Sequence, residues 1–391
     1  MKLRLAIILG LTLALGSAPG AAQSEGDETW DLVEHAQLGD GSIALTGIAS
    51  LPGESLVMVG SGDRGRRALA WYSEDGRAWE AVKLPKSKNA GPTSVVGTDE
   101  GAIAVGNQQT NSGAEHGLVW TTVDGRNWSG PAKIKNAMFS DVVATPAGVS
   151  ILGAAAKKNR REPTVWHSSD GTSWKPVRIA KADTRPREMA VTPDGMWTAT
   201  AIDYDAQNYA VWRSSDGERW EAVADHPMID PNTKRKVALS EIIATDAGIF
   251  AVVNWSDDGE DPTGSIWHSQ TGADWTMVAG SDNTAGAAGV ISGFPIVIMH
   301  PLVPSGADSD RTASVFSSVD GRDWTEAPVT GMDGATILLA PAPDGEVAVA
   351  GYALLEEASD DLGSYLASSD PAAWLGPSPP GWTAETGPSD E

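Results

Sequence analysis

Three carboxylic acids recur at one relative position in the middle of the chain. Asp141 in SDVVAT, Glu188 in REMAVT and Glu241 in SEIIAT each precede a short β-rich run, and Arg187 adjoins Glu188. Carboxyl groups whose pKa values are pushed apart by their surroundings can serve as general acid and general base, the pair that glycosidases use. In a second, structural interpretation, a polar residue at the start of a strand bonds the neighbouring unit. Both interpretations remain open at this stage.

Cations gather in segments that we expect to be loops. The predicted ligand-binding residues are Arg64, Arg66, Lys157, Arg160, Arg187 and Lys234. Arg side chains bind carboxylate or phosphate groups with two parallel hydrogen bonds, so these loops suit an anionic glycan or an envelope protein. The alternative is that exposed loops are simply charged.

The corresponding loops of the second half are acidic instead, at 256–262, 306–311 and 354–361. Carboxylates there could hold Ca²⁺, but DDGED lacks the spaced ligands of a recognised calcium loop. We therefore predict no metal site and no cofactor, with Ca²⁺ as the exception to test.

These residues must be positioned by a repeated unit, whose clearest sign is a nine-residue phrase. The phrase reads WRSSDGERW from Trp212, and its copies begin at Trp71, Trp120, Trp166, Trp267, Phe316 and Leu366. The Asp-Gly pair predicts a tight hairpin turn, and the second Trp covers that turn. The Asp residues are therefore interpreted as structural, namely Asp75, Asp124, Asp170, Asp216, Asp320 and Asp370.

The spacing of the phrase predicts the architecture. Successive copies lie 49, 46, 46, 55, 49 and 50 residues apart, and each interval holds four short β-rich runs separated by turn residues. A period of this length is typical of four-stranded propeller blades. We predict an all-β, seven-bladed β-propeller over residues 29–374, in which residues 29–35 add the outermost strand of the last blade and close the ring.

The phrase S-x-D-G-x-x-W resembles the Asp-box, or BNR repeat, S/T-x-D-x-G-x-T-W/F, with Gly here directly after Asp. The resemblance covers nearly all of the chain from about residue 40 to 374 and implies a sialidase-like propeller. Asp-boxes also occur in xyloglucan hydrolases, sortilin-type receptors and photosystem assembly factors, so no single activity is implied. The sialidase motif F/Y-R-I-P is absent, and DTRPRE (183–188) does not match it. The resemblance is therefore to the repeat architecture and not to the sialidase active site.

Composition narrows the functional classes. The chain has 391 residues, no Cys and a net charge of −24, and residues 237–391 hold two cations against 24 acidic residues. Without Cys, no disulfide or thiol chemistry is available. Nucleic acid is not an expected partner, because its binding depends on neutralising phosphates.

The N-terminus predicts export. Lys2 and Arg4 precede a twelve-residue apolar run and small residues, which predicts a signal peptide over 1–22, followed by a linker over 23–28. Residues 375–391 are rich in Pro, Ser and Gly, so we predict a disordered tail. We expect a secreted or periplasmic monomer without a membrane span after cleavage. Its predicted function is non-enzymatic binding of a carbohydrate (glycan), a cell-envelope component or a protein through the loops. The alternative is an Asp-box-type glycoside hydrolase or lyase acting on an anionic polysaccharide through Asp141, Glu188 and Glu241.

Overall fold

The fold consists of seven four-stranded antiparallel sheets arranged as the blades of a β-propeller. The computed structural model describes residues 31–33, 43–157, 160–203, 208–224, 226, 236–256, 263–300, 313–329, 334–343, 346–353 and 370–376. The predicted all-β fold and number of blades are confirmed. The predicted signal peptide, the linker, most of the predicted tail and Lys234 lie outside the described residues.

The strands follow one another from the innermost to the outermost position of each blade. Strand β1 (Asp31–Val33) precedes the first blade. Blade 1 contains β2 (Ile43–Ser50), β3 (Leu56–Gly62), β4 (Arg67–Ser73) and β5 (Glu80–Val82). Blade 2 contains β6 (Ala90–Thr98), β7 (Gly101–Gln109), β8 (Glu115–Thr122) and β9 (Trp128–Lys135). Blade 3 contains β10 (Ala137–Thr145), β11 (Gly148–Lys157), β12 (Arg160–Ser168) and β13 (Lys175–Arg178).

The later blades repeat this order. Blade 4 contains β14 (Thr184–Val191), β15 (Trp197–Asp203), β16 (Asn208–Ser214) and β17 (Glu221–Val223). Blade 5 contains β18 (Lys236–Thr245), β19 (Gly248–Ser256), β20 (Thr263–Ser269) and β21 (Thr276–Ser281). Blade 6 contains β22 (Thr284–Ile291), β23 (Phe294–His300), β24 (Ala313–Ser317) and β25 (Thr325–Val329). Blade 7 contains β26 (Gly334–Pro341), β27 (Val347–Ala353) and β28 (Asp370–Gly376), and β1 is its outermost strand.

Ring closure depends on the N-terminal strand. Strand β1 pairs antiparallel with β28, with Leu32 opposite Trp374, and so supplies the fourth strand of a blade that begins more than three hundred residues later. The predicted closing strand is confirmed, with described bounds of Asp31–Val33. Without it, the backbone groups on the outer edge of β28 would be unpaired.

The hydrophobic core lies between the faces of neighbouring blades. Trp120 of blade 2 packs with Val57 and Tyr72 of blade 1, and Trp374 of blade 7 packs with Ile296 of blade 6. The second strand of a blade is covered on both faces, which explains continuous apolar runs such as LVMVGSG in β3. The fourth strands lie at the rim and are largely exposed, as in β9. Packing between blades therefore holds the ring together.

The nine-residue phrase forms the turn between the third and fourth strands. In blade 4, Ser214 Oγ accepts a hydrogen bond from Gly217 N at 2.9 Å, and Asp216 Oδ1 accepts one from Arg219 N at 2.7 Å. Trp220 Nε1 donates to Gly217 O at 3.0 Å and covers the turn. The corresponding backbone bonds form at Asp75, Asp124, Asp170 and Asp320. These five Asp residues are therefore engaged in turn structure.

The prediction for Asp370 is wrong. Asp370 begins β28, the third strand of blade 7, where it pairs with Ala353, so it does not lie in a third-to-fourth-strand turn. Trp374 instead pairs with Val349, the position that the first Trp of the phrase takes in the other blades. The register of β28 thus places Trp374, eight residues after Leu366, at the first position of the phrase. Strand β28 also extends to Gly376, past the predicted propeller boundary at 374.

The ring has two ends, the loop face and the hairpin face. The loop face is formed by the turns between second and third strands and by the connections between blades. The hairpin face is formed by the turns between first and second strands and by the nine-residue phrases. Because every blade has the same strand order, equivalent turns lie at the same end.

Candidate functional site

The innermost strands share an irregularity that defines a ring of channel positions. In each blade the pairing between the first and second strands shifts register at the same place, which marks a β-bulge. The residues that follow the bulge are Gly47, Ser94, Asp141, Glu188, Glu241, Ala287 and Leu338. The three predicted carboxylic acids are therefore equivalent residues of blades 3, 4 and 5, near the loop face.

Asp141 bonds both neighbouring blades. Its Oδ1 accepts hydrogen bonds from Ser94 Oγ of blade 2 at 2.9 Å and from Val142 N at 2.7 Å, and its Oδ2 accepts one from Met189 N of blade 4 at 3.0 Å. Burial raises the pKa of Asp141 to about 6, although these three bonds favour its charged form. Both oxygens therefore serve the contact between blades that the structural interpretation expected.

Glu188 and Glu241 differ from Asp141 because their carboxyl groups accept no hydrogen bond from the described residues. Glu188 and Glu241 are each partly buried. Burial raises the pKa of Glu241 to about 8, and the charge of Asp141 adds to this. Burial followed by repulsion from Glu241 and Asp141 raises the pKa of Glu188 well above its usual range. Burial therefore favours the protonated form of both glutamates.

Arg187 occupies the bulge position of blade 4, where blades 1 to 3 have a hydroxyl residue. In blades 1 to 3, the bulge hydroxyl donates to a backbone carbonyl of the next blade: Thr46 to Pro92 at 3.2 Å, Thr93 to Phe139 at 3.3 Å and Ser140 to Pro186 at 2.7 Å. Blade 4 has Arg187 at this place, and its buried Nε has no hydrogen-bond partner among the described residues. Its guanidinium charge favours the ionised forms of Glu188 and Glu241. Arg187 thus belongs to the channel group and not to the exposed loops.

The other predicted cations that the structure describes lie on the loop face. Arg64 and Arg66 are exposed in the turn between β3 and β4, and Lys157 and Arg160 flank the equivalent turn between β11 and β12. The two pairs belong to different blades, so the described residues form separate basic patches and not one cluster. Neither patch includes Arg187.

The structure adds two residues that the sequence analysis missed. The side chain of Glu162 is 5% exposed, and it lies 3.5 Å from Arg178 Nη1, 3.9 Å from Arg160 Nη2 and 4.0 Å from Lys157 Nζ. Glu162 lies in the run RREP, and no sequence pattern distinguishes it from the charges around it. Arg178 lies on β13, and only the pairing of β12 with β13 brings it to the turn. The two residues turn the basic loop of blade 3 into an ordered group.

The hairpin face has its own opening. A cavity of about 1220 Å³ lies there, lined by the first-to-second-strand turns and by parts of the phrases. Hydroxyl groups on its wall, such as those of Thr98 and Thr145, bond within their own turns. The predicted catalytic and ligand-binding residues do not line this cavity.

Within the described part of the chain, no group of three or more His, Asp or Glu side chains is arranged to hold a metal ion. The acidic loops considered for Ca²⁺ lie almost entirely outside the described residues. Among those residues, no helix has the length and apolar character needed to cross a membrane.

The fold and the channel define a seven-bladed β-propeller of four-stranded blades. No family model matches the chain, and no curated protein sequence matches it. Solved structures with this fold are similar to it. One is virginiamycin B lyase of Staphylococcus aureus, in a catalytically inactive form with quinupristin, at 9% identity, TM-score 0.54, and coverage of 90% of this chain and 99% of that one.

Two further structures illustrate the range of this similarity. The periplasmic gluconolactonase of Pseudomonas aeruginosa is 13% identical, with a TM-score of 0.51 over 73% of this chain and 86% of that one. The Dos1 propeller is 10% identical, with a TM-score of 0.51 over 89% and 94%. At these identities the similarity establishes the fold alone, because unrelated functions share propeller folds.

Proposed function

We propose that this chain is an exported binding or scaffold propeller that recognises a glycan, a cell-envelope component or a protein through its loop face, without catalysis. The observation that supports this most directly is the use of Asp141 as a contact between three blades. A general acid or base must be free to exchange its proton with a substrate. Asp141 is committed to protein groups. Of the three equivalent acids, only Glu188 and Glu241 have carboxyl groups that accept no hydrogen bond from the described residues.

The state of those two groups also favours binding. Burial raises the pKa values of both Glu188 and Glu241, which favours the protonated form of each carboxyl group. An acid and base pair needs one ionised member and one protonated member at the working pH. Two neutral carboxyl groups at a channel mouth instead offer hydrogen-bond donors and acceptors to a ligand.

The second candidate is a glycoside hydrolase or lyase acting on an anionic polysaccharide through Asp141, Glu188 and Glu241. One observation favours it: the pKa of Glu241 lies at about 8, which suits a general acid near neutral pH. Arg187 beside the carboxyl groups would then orient an acidic substrate.

The relationship of the nine-residue phrases to Asp-boxes is part of this proposal. We infer that the phrases are Asp-boxes, or BNR repeats, of a sialidase-like propeller, because Ser, Asp, Gly and Trp each make a defined bond in the turn. We propose a secreted or periplasmic monomer without a resident cofactor. The charged N-terminus followed by an apolar run supports export.

The proposal is tested with the mature protein on a glycan array and on fluorogenic glycosides and acidic polysaccharides. We expect retention of at least one glycan without turnover, and unchanged retention by Glu188→Gln. Turnover that Glu188→Gln abolishes would establish the enzyme instead. Absence of retention on every glycan and envelope fraction would overturn the binding proposal.

A further inference from the structure

A buried carboxylate organises the basic turn of blade 3. Lys157 pairs with Arg160 across the β11–β12 hairpin, and Arg178 pairs with Thr164, two residues from Glu162. Side chains that pair directly, or that lie two residues apart on a strand, share one face of the sheet. The three cations therefore surround Glu162 from one side, with their charged ends in water.

The charge of this group is not balanced internally. Lys157, Arg160 and Arg178 are 66%, 49% and 52% exposed, and each lies 3.5 Å or more from the single carboxylate of Glu162. Contacts of this length orient the cations but leave most of their N–H groups free. Three cations against one carboxylate leave a surplus of positive charge.

The adjoining Arg161 is already engaged. Its Nη2 donates to Glu115 Oε1 of blade 2 at 2.7 Å, and its backbone N donates to Asp183 Oδ1 at 2.9 Å. Arg161 therefore ties the turn to its surroundings and leaves ligand contact to the other three cations. A cationic site whose members are held in place loses less conformational entropy on binding.

Further cations continue from this group along the loop face. Lys135 ends β9 of blade 2, Lys181 lies in the connection after blade 3, and Arg185 lies near the start of β14 of blade 4, all exposed. These residues lie at the same end of the ring in three neighbouring blades, with exposed Asp183 between Lys181 and Arg185 in the sequence. Cations spread over three blades suit a polymer with repeated negative charges better than a single small anion.

We propose that Lys157, Arg160 and Arg178, held around Glu162, form the primary anion site for an acidic polysaccharide that follows the loop face across blades 2 to 4. This inference rests on the proposed binding function and names its ligand class. Sulfate, phosphate or carboxylate groups on the polymer would take the free N–H groups.

The test measures binding of dextran sulfate, of polygalacturonate and of uncharged dextran to the mature protein by calorimetry at several salt concentrations. The variant Lys157→Gln/Arg160→Gln/Arg178→Gln removes the site. Arg322→Gln, an exposed cation on the hairpin face, is the matched control. Glu162→Gln keeps the three cations and removes the charge that orients them.

We expect the parent to bind at least one of the charged polymers and not uncharged dextran, with affinity that falls as salt rises. The triple variant should lose about tenfold or more in affinity, since charged hydrogen bonds are lost. Arg322→Gln should be unchanged. Glu162→Gln should bind more weakly than the parent, because the three cations lose the carboxylate that orients them. This variant keeps the inference testable if the triple variant fails to fold.

Equal binding by the triple variant and the parent would overturn the site. Tighter binding by a folded Glu162→Gln would also overturn it, because Glu162 would then only repel the polymer and would not hold the cations for it. Failure of both charged polymers to bind would reject the ligand class while leaving retention of other glycans on the array as the separate test of the binding function. Binding of an acidic protein at these three residues, without either polymer, would replace the polysaccharide with a protein partner.

Discussion

Equivalent carboxyl groups of the channel ring have different roles because their hydrogen bonds differ. Asp141 accepts three hydrogen bonds and reaches two neighbouring blades. Glu188 and Glu241 have one more methylene each, and their carboxyl groups accept no bond from the described residues. Burial without compensating donors favours the neutral form of an acid, so the pKa of Glu241 rises to about 8.

This difference predicts how stability depends on pH. Between its usual pKa of 4.5 and about 8, Glu241 binds a proton in the folded chain but not in the unfolded chain. The free energy of unfolding should therefore fall as pH rises through this window. Glu241→Gln should flatten that fall and raise the melting temperature at about pH 8. Thermal unfolding followed by circular dichroism between about pH 5 and about pH 8 measures the effect.

Glu326→Gln is the matched control for this prediction, because Glu326 is exposed on β25. It should leave the pH profile of the parent unchanged. A Glu241→Gln profile as steep as that of the parent, or a parent that is more stable at pH 8 than at pH 5, would contradict the prediction.

At the scale of the element, each hairpin of the repeat also packs against the preceding blade. Gly125 in the blade 2 phrase has φ of +72°, and a Cβ there would lie 2.5 Å from Tyr72 Cδ2 and 2.8 Å from Leu51 Cδ1 of blade 1. The Asp-Gly pair therefore serves two purposes. Gly permits the turn, and its missing side chain permits the contact between blades.

Gly125→Ala should cost more stability than the turn conformation alone explains. The matched variant is Gly113→Ala, at φ of +81° with nothing within 4 Å of the added Cβ. Gly113→Ala should cost about 1 kcal/mol from backbone conformation. Gly125→Ala should cost about 1–3 kcal/mol more from overpacking. Denaturant midpoints measure both, and equal midpoints would show that the hairpin does not constrain its neighbour.

At the scale of the whole molecule, stability depends on a closed ring of interfaces. The hydrophobic clusters join blade to blade, including blade 7 to blade 1 through Trp71, Ala348 and Ala373. An open ring would expose one such interface and the edge of β28 together. The short strand β1 therefore affects the entire fold.

Deletion of residues 23–35 should lower the melting temperature by about 5 °C or more and promote association through the exposed edge. Deletion of residues 23–28 leaves β1 (Asp31–Val33) intact and is the control. Thermal unfolding and light scattering measure the two effects. A longer deletion that behaves like the shorter one would mean that β1 does not close the ring.

The sequence by itself determined the all-β class, the seven repeats, the hairpins and the closing strand. These features depend on local chemistry that recurs, such as Asp-Gly turns and Trp at both ends of one phrase. It also placed Asp141, Glu188 and Glu241 at equivalent positions. Recurrence makes such signals visible, because each unit repeats the same backbone requirement.

Only the tertiary structure decided the seventh phrase and the roles of individual charges. LASSDPAAW matches the phrase locally, but the pairing of β28 with β27 places Trp374 at the position of the first Trp of the phrase. Asp141 bonds residues 47 and 48 positions away, and Glu162 meets Arg178 across a strand pair. These outcomes depend on contacts between blades and strands, and no local pattern encodes a distance between residues that folding alone brings together.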